Sequence, residues 1–446
     1  MIKKSKIWFF KKNALWLFFL FSVVACQNAK QTENSLSAES KQPFYFFNKN
    51  EHIIGALDSL VENKFLPYVY ARIENHDGAL LFEHSAVNRE LYPDLEVTGD
   101  SWFRIWSMSK IVTISLVMDL SEDGILNLND PVHQYIPEFK NLQVALSADG
   151  KAITDYAYDE VDEICPVQYI PANSEMTIAD LIHHKAGFYY PWSGIDCLDK
   201  IWTDQDLNAA KNSQELINRL KAMPLVQQPG STYFYGLNTT VLGLVAERAT
   251  DKPLNLLVKE RITGPMKING LQYTEPAHAT LLPRTDGKQG FEKINVKNET
   301  DIFGAAMPKY SPDHSLFMGG EGMIGTTDGY ADFMRMLLHN GSLNGHRFLN
   351  EATINEMSSP HTQTDSPWGY NGYNLWVTGD TLKVMGVGEA GFWVSGGYEG
   401  TYCWIDRKRK IVGLVMTQLF NMKTAPSEVF RGAVYQEIWK HEQEQE

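Results

Sequence analysis

A serine and a lysine three residues apart, Ser107 and Lys110, are the residues of this sequence best suited to covalent chemistry. A serine hydroxyl is a weak nucleophile and needs a base within hydrogen-bond reach. Residues i and i+3 share one face of a helix, so a helix beginning here would bring the lysine amine beside the hydroxyl. The N-terminus of that helix would also favour developing negative charge. The spacing predicts a nucleophile with its base, and an incidental pair on a surface helix is the alternative.

The residues that follow the pair argue against a surface helix. Residues 111–120 are apolar nearly all round, and Asp123 and Gly124 end the run. A helix that is apolar on every side is a buried one. A lysine at its start must have a partner or lose its charge, because burial of an unpaired charge is costly. A desolvated lysine is also what a general base near neutral pH requires, so the pattern favours a catalytic Lys110.

Composition excludes some classes of function. The chain has 446 residues, of which 43% are hydrophobic and 21% charged, and this is typical of a globular protein of two or three domains. A formal charge of −14 argues against nucleic acid as a partner, because phosphate binding needs a basic face. Neither the cysteines nor the adjacent pair His183 and His184 have the spacing of a metal site. We expect a protein without a cofactor.

Residues 1–25 are predicted to be a lipoprotein signal peptide. Five lysines precede an apolar run, Ala14–Ala25, that is shorter than the roughly 20 residues of a spanning helix. The run ends in Val-Val-Ala before Cys26, which resembles a bacterial lipobox and implies acylation of that cysteine. A plain secretory signal or an uncleaved anchor is the alternative. Cleavage would remove five lysines and no acids, taking the charge from −14 to −19.

A lipid anchor would place the protein at the bacterial cell envelope, on the periplasmic or outer-membrane side. Residues 26–50 begin with a polar, Ser/Glu/Asn-rich stretch and are predicted to be a flexible tether between the lipid and the folded part. Export permits disulfides. Cys165 and Cys197 flank one segment and could form one, whereas free cysteines, with Cys403, are the alternative.

Both ends of the chain carry hairpin patterns. Alternating residues at 68–73 and 80–82 flank a turn, and a second pair of apolar runs flanks the charged turn 406–410. Residues 427–442 read as an amphipathic C-terminal helix. These patterns predict an α+β fold, with helices packed on an antiparallel sheet. We assign residues 51–120 and 311–446 to a discontinuous α/β domain and residues 121–310 to a mostly helical inserted domain.

An acyl-transfer site also needs a proton relay to the leaving group and an oxyanion hole. Two distant segments could supply them. Residues 229–238, Pro-Gly-Ser-Thr-Tyr-Phe-Tyr-Gly-Leu-Asn, end a loop and open a helix. Residues 395–401, Ser-Gly-Gly-Tyr-Glu-Gly-Thr, precede a strand, and small residues there let a substrate backbone approach closely.

With these segments the chain resembles the serine β-lactamase/penicillin-binding protein superfamily, in its class C-like branch of β-lactamases, esterases and D-amino-acid peptidases. The resemblance covers most of residues 55–440. It rests on ordered matches at residues 103–110, 126–137, 176–187 and 319–323, the last a glycine-rich stretch that in this family walls the active site. It implies a β-lactamase/DD-peptidase-like fold.

The resemblance also implies a role for each matching residue. Ser107 would be the acylated nucleophile, and Lys110 would accept its proton or hold the relay together. Tyr235 would shuttle the proton to the leaving group and later activate water; a buried aromatic is the alternative, and Tyr233 is a weaker candidate. Asn238 would contact the substrate, but the spacing Tyr-Gly-Leu-Asn is one residue longer than the family's Tyr-x-Asn, so helix capping is its alternative.

The third family motif departs further. Ser395, Gly396 and Gly397 stand where the family has Lys-Thr-Gly, or His-x-Gly or Trp-Gly-Gly in its esterase branch, and they are predicted to bind substrate. The backbone N–H groups of Ser107 and Tyr398 would form the oxyanion hole. A cation that would hold a substrate carboxylate is missing from the motif.

We therefore expect a serine hydrolase acting through an acyl-serine on small-molecule esters or amides or on cell-wall-derived substrates. A β-lactamase or D-alanyl carboxypeptidase is the first alternative. The second is a catalytically silent protein that binds cell-wall fragments, against which the intact set of serine, lysine and tyrosine argues.

Overall fold

The computed structural model describes residues 44–156, 164–191, 195–277, 279, 281–287, 291–293 and 307–446. The predicted signal peptide and Cys26 lie outside these residues. Residues Phe46–Glu446 form one compact unit. Phe47, inside the predicted tether, is fully buried, and the side chain of Asn50 caps the first helix. Packing therefore begins before residue 50. Within the described residues, no helix combines the length and the apolarity needed to cross a bilayer.

The α-helices of the described residues are α1 (Glu51–Glu62), α2 (Ser109–Glu122), α3 (Ile178–Ile182), α4 (Asp196–Gln205), α5 (Ser213–Lys221), α6 (Asn238–Thr250), α7 (Leu254–Leu257), α8 (Thr327–Leu338), α9 (Glu351–Met357), α10 (Thr381–Val384) and α11 (Pro426–Gln445). The strands are β1 (Tyr68–Asn75), β2 (Leu80–Val87), β3 (Phe103–Arg104), β4 (Gln143–Leu146), β5 (Gln168–Pro171), β6 (Leu271–Gln272), β7 (Thr285–Asp286), β8 (Glu292–Lys293), β9 (Ile324–Gly325), β10 (Ser342–Leu343), β11 (His346–Arg347), β12 (Thr362–Ser366), β13 (Gly369–Asn371), β14 (Trp376–Thr378), β15 (Trp393–Gly396), β16 (Tyr402–Asp406), β17 (Ile411–Met416) and β18 (Leu419–Phe420).

The main sheet is antiparallel and joins the two ends of the chain. Its order among the described strands is β12-β13-β14-β15-β16-β17-β1-β2. The two predicted hairpins are both present, and they pair with each other through β1 and β17, with Tyr70 opposite Met416. The predicted α+β architecture is confirmed.

Helices cover both faces of this sheet. Successive side chains on a strand point to opposite faces. On β16, the ring of Trp404 lies 5.4 Å from that of Phe430 in α11, whereas the Cys403 sulfur lies 3.7 Å from the Met334 sulfur in α8. Helix α1 packs beside α11 on the first face. The second face holds α8 and the turn that precedes α2, so the chemistry-bearing segment lies between the sheet and the helical part.

The helix that follows Ser107 is buried, as its sequence predicts. Every residue of α2 from Ser109 to Met118 is buried, and the helix packs against α6. Ser107 itself lies in a short 3₁₀ turn, Trp106–Met108, that runs into α2. A 3₁₀ turn places residues i and i+3 directly above one another, so the spacing argument still applies.

The middle of the chain is rich in helix: the antiparallel pair β4–β5 comes first, and the helices α3 to α7 follow, joined by loops. The domain limits at residues 121 and 310 remain a prediction. Cys165 and Cys197 form a disulfide, one of the two alternatives that the sequence left open, and Cys403 is free and buried.

Candidate active site

Ser107 is the partly exposed residue of a buried turn. Its neighbours Trp106 and Met108 are 2% and 0% exposed. The Ser107 Oγ accepts hydrogen bonds from the Lys110 Nζ at 3.0 Å and from the Tyr235 hydroxyl at 2.8 Å. The structure thus brings together the predicted nucleophile, base and relay, although 128 residues separate Ser107 from Tyr235.

Lys110 is fully buried and directs its amine at three acceptors. Besides the Ser107 Oγ, its Nζ donates to the Gly320 carbonyl at 2.9 Å and to the Tyr190 hydroxyl at 3.1 Å. The Nζ also lies 5.0 Å from the centre of the Tyr235 ring. A lysine ammonium carries three protons and no lone pair. Three protons match the three oxygen acceptors that surround the Nζ.

A buried carboxyl group stands behind the lysine. The Tyr190 hydroxyl donates to Glu321 Oε2 at 3.3 Å, and the Thr240 hydroxyl donates to the same oxygen at 2.9 Å. Burial raises the pKa of Glu321, and the nearby charge of Lys110 opposes that rise. Glu321 is thereby linked to Lys110 through one tyrosine hydroxyl, so it belongs to the electrostatics of the site.

Tyr235 is held in place by His184. The two rings stack with centroids 4.9 Å apart and an interplanar angle of 25°. His184 Nδ1 accepts from the backbone N–H of Gly236 at 3.3 Å. Gly236 is required there, because a Cβ would lie 2.0 Å from the Phe188 carbonyl oxygen. Burial, together with the charge of Lys110, lowers the pKa of His184 to about 3, so this histidine is neutral.

Asn238 lies in the protein interior beside His184. It is the first residue of α6 and fully buried, and the cap position belongs to Leu237. Its Nδ2 lies 3.1 Å from His184 Nδ1 and 3.3 Å from the Phe188 carbonyl oxygen. The longer Tyr-Gly-Leu-Asn spacing turns the amide inward, where it supports His184. The Asn238 side chain therefore does not cap α6, and its predicted contact with substrate remains a prediction.

The third motif lies at the end of β15, against the turn of the nucleophile. Gly397 donates its N–H to the Thr401 carbonyl at 2.7 Å, so that amide is already used within the protein. Tyr398 supplies the next amide of the turn, and its side chain is 37% exposed. Gly396 pairs with Tyr402 across the strands.

Ser395 is turned toward the interior. It is 9% exposed, and its carbonyl accepts from the Cys403 thiol. The described contacts of Ser395 are therefore with the core. Its predicted role in substrate binding remains a prediction, as do those of Gly396 and Gly397.

Some residues of the site were not predicted as such. Glu321 and His184 lie in segments that the sequence analysis named for other reasons, a glycine-rich stretch and a pair of histidines, whereas Tyr190 lies in a segment that it did not name. The clearest signal for Glu321 is its place in Gly-Gly-Glu-Gly, a stretch expected to wall the active site. A carboxylate buried there needs hydrogen-bond partners, because an unpartnered buried carboxylate is costly. Tyr233, the weaker relay candidate, has its ring 5.7 Å from that of His184.

Comparison with known proteins agrees with this geometry. The family model of the beta-lactamases matches residues 73–433. The chain belongs to the beta-lactamase family. Like other members, this beta-lactamase-family protein is a serine hydrolase, and the predicted resemblance and fold are confirmed.

Relatives of this beta-lactamase-family chain include esterases. It is 25% identical to esterase EstB of Burkholderia gladioli over 376 residues, which cover 81% of this chain and 88% of EstB. It is 24% identical to a lovastatin esterase of Penicillium rubens, over 76% of this chain and 86% of that protein. The solved structure of EstCE1, a hydrolase with promiscuous acyltransferase activity, superposes with a TM-score of 0.68 at 20% identity, over 86% of this chain and 98% of EstCE1. At 20% identity, the similarity to EstCE1 supports the fold alone.

Among the described residues of this beta-lactamase-family protein, no group of three or more His, Cys, Asp or Glu side chains is arranged to hold a metal ion. His183 instead packs against aromatic rings, with centroids 4.9 Å from His361 and 5.1 Å from Tyr373.

His183 predicts a dependence of stability on pH. Burial, together with nearby positive charge, lowers its pKa to about 4 in the folded protein, against about 6.5 in an unfolded chain. The unfolded state therefore binds more protons, and stability is lost as pH falls below about 6.5. His183→Phe should lose about 2 kcal/mol less stability than wild type between pH 7 and pH 5. Urea unfolding at several pH values measures this. His346→Asn, on the surface hairpin β10–β11, is the control, and parallel curves for His183→Phe and wild type would contradict the prediction.

Proposed function

We propose that the protein is an esterase that hydrolyses small ester or amide substrates through an acyl-Ser107 intermediate. One observation carries the proposal: the Ser107 Oγ lies between the Lys110 amine at 3.0 Å and the Tyr235 hydroxyl at 2.8 Å, in a turn that leaves Ser107 partly exposed. A nucleophile within hydrogen-bond reach of its base, which is itself held by a third group, is the arrangement that activates serine. His184 and Lys110 are the groups that hold Tyr235.

The contacts suggest how protons move. In the reactive form Tyr235 is a phenolate, stabilised by the Lys110 ammonium, and takes the proton from the Ser107 Oγ as that oxygen bonds the substrate carbonyl carbon. The carbonyl oxygen becomes an oxyanion beside the amides of Ser107 and Tyr398. The bond to the leaving group then breaks, and Tyr235 returns the proton to the departing oxygen or nitrogen. Water repeats these steps on the acyl-serine and releases the acid.

The third motif favours substrates without a carboxylate at this position. Ser395, Gly396 and Gly397 carry no charge. A β-lactam or a D-alanyl peptide has a carboxylate that a cation at this point would bind. The named esterases among the relatives support the same choice.

Parallel assays with p-nitrophenyl butyrate and nitrocefin test the proposal. We expect kcat/KM for the ester to exceed that for nitrocefin at least about tenfold. The carboxylate of nitrocefin would find no cation at the third motif, and a lost contact worth about 1.4 kcal/mol lowers kcat/KM about tenfold. Intact mass spectrometry after brief mixing with the ester should show an added butyryl group. Fast nitrocefin turnover with negligible ester hydrolysis would instead identify a β-lactamase, and the absence of any acyl-enzyme would favour a silent binding protein.

A further inference from the structure

The residue directly before the nucleophile has an unfavourable backbone conformation. Trp106 has a φ of +47°, in the left-handed region that glycine adopts readily and bulky side chains rarely adopt. Such a conformation persists only where the surroundings hold it, and it is found most often at functional sites. The side chain of Trp106 is 2% exposed, so its contacts are with protein.

A buried ion pair holds this tryptophan. The indole Nε1 donates to Glu399 Oε2 at 3.0 Å. The other carboxylate oxygen, Oε1, accepts from Arg284 Nε at 2.6 Å and lies 2.5 Å from Arg284 Nη2. The Arg284 guanidinium also lies over the Trp106 ring, 5.5 Å from its centre. The glutamate and arginine side chains are 0% and 1% exposed, so the three groups form a closed, buried triangle.

This triangle joins the two segments that would form the oxyanion hole. Glu399 follows Tyr398, and Trp106 precedes Ser107, so the indole–carboxylate bond links the neighbours of both predicted donors. On the other side of Tyr398, Gly397 lies so close to Ile105 that a Cβ would be 2.4 Å from the Ile105 carbonyl oxygen. The segment is thus attached to the nucleophile turn both before and after Tyr398.

We propose that Trp106, Glu399 and Arg284 are positioning residues that fix the backbone N–H groups of Ser107 and Tyr398 relative to each other, as an oxyanion hole requires. The inference rests on the proposed acyl transfer at Ser107. It explains the charge pair, since a buried ion pair adds little stability over apolar residues. It also explains the strain at Trp106, because the backbone orientation that aims the next amide is held by the side chain.

Trp106→Phe tests the proposal, since it keeps an aromatic ring and removes the indole N–H. Rates are expressed per active site, titrated with a fluorophosphonate, and benzeneboronic acid serves as a tetrahedral mimic. We expect kcat/KM for p-nitrophenyl butyrate to fall about 10- to 100-fold, as for a displaced oxyanion donor. The boronate Ki should rise by the same factor, while KM changes less than about threefold. A per-site kcat/KM or a boronate Ki within about threefold of wild type would overturn the assignment.

Two further variants distinguish a displaced oxyanion hole from a general loss of stability. Arg284→Met/Glu399→Gln removes the charges of the pair and retains an acceptor for the indole. It should itself lower per-site kcat/KM, and Trp106→Phe should cost less in this background than in the wild type, because the three groups act through one network. A double variant with a per-site kcat/KM within about threefold of wild type would overturn the roles of Arg284 and Glu399. Arg409→Met disrupts another buried charge cluster, with Asp406 and Glu389 at the far end of the β16–β17 hairpin. It should lower Tm but leave per-site rates unchanged. Wild-type protein that no fluorophosphonate labels would refute the proposed function itself, independently of these comparisons.

Discussion

Replacement of Ser107 with alanine is expected to abolish ester hydrolysis and covalent labelling by a fluorophosphonate, with kcat falling at least about 10³-fold. The Ser107 Oγ is the atom that both the Lys110 amine and the Tyr235 hydroxyl contact, so its removal leaves neither group anything to activate. Gel fluorescence with the probe and hydrolysis of p-nitrophenyl butyrate measure the loss. Rate that remains would come from binding and the oxyanion donors alone.

Ser109→Ala is the matched control for this experiment. Ser109 is the other serine of the same short segment, but it is fully buried and its Oγ accepts from the Met323 backbone N–H at 3.1 Å. Its loss should leave labelling intact at the cost of one buried hydrogen bond, about 1 kcal/mol. Labelling of Ser107→Ala at the level of wild type would remove Ser107 from the mechanism.

Tyr235→Phe is expected to lower kcat about 10²- to 10⁴-fold, the range of a lost general acid–base group. The change keeps the ring that stacks on His184 and removes only the hydroxyl bonded to the Ser107 Oγ. Because the hydroxyl serves both acylation and deacylation, no acyl-enzyme should build up. Steady-state rates with p-nitrophenyl butyrate, and intact mass measured during turnover, test both points.

Tyr190 offers a close comparison. Its hydroxyl also bonds the Lys110 Nζ, at 3.1 Å, and it donates to Glu321 Oε2, whereas the Tyr235 hydroxyl donates to the Ser107 Oγ. Tyr190→Phe should therefore change kcat less than about tenfold, because it perturbs the lysine without removing the relay. If Tyr190→Phe is as damaging as Tyr235→Phe, or more so, the relay has been assigned to the wrong tyrosine.

The parts of the site that sequence predicts are those fixed by local spacing. Ser107 and Lys110 are in contact because residues i and i+3 lie above one another in a helical turn. The apolar run that follows them predicts the buried helix α2. The hairpins that build the sheet follow from alternation and charged turns in the same way. Tyr235 could be named only through its resemblance to a family motif, since 128 residues separate it from Ser107.

The remaining contacts depend on tertiary packing that no local pattern encodes. Glu321 reaches Tyr190 across 131 residues, and Trp106 reaches Glu399 across 293. For Asn238 the resemblance carried over the residue type but not its surroundings, since the motif has one additional residue and the side chain lies against His184. Resemblance thus transfers a residue's identity more safely than its direction.

The register of the sheet also bears on when the protein can first act as it is made. Strand β1 pairs on one side with β2, but its other neighbour, β17, ends at Met416, close to the end of the chain. Until that segment emerges from the ribosome, one edge of β1 has no partner, and an open strand edge invites pairing with other chains. The segment that bears Tyr398 and Glu399 is likewise synthesised late. A nascent chain therefore carries Ser107 long before it carries Tyr398 and Glu399, so the oxyanion hole proposed above can form only when synthesis of this chain is nearly complete.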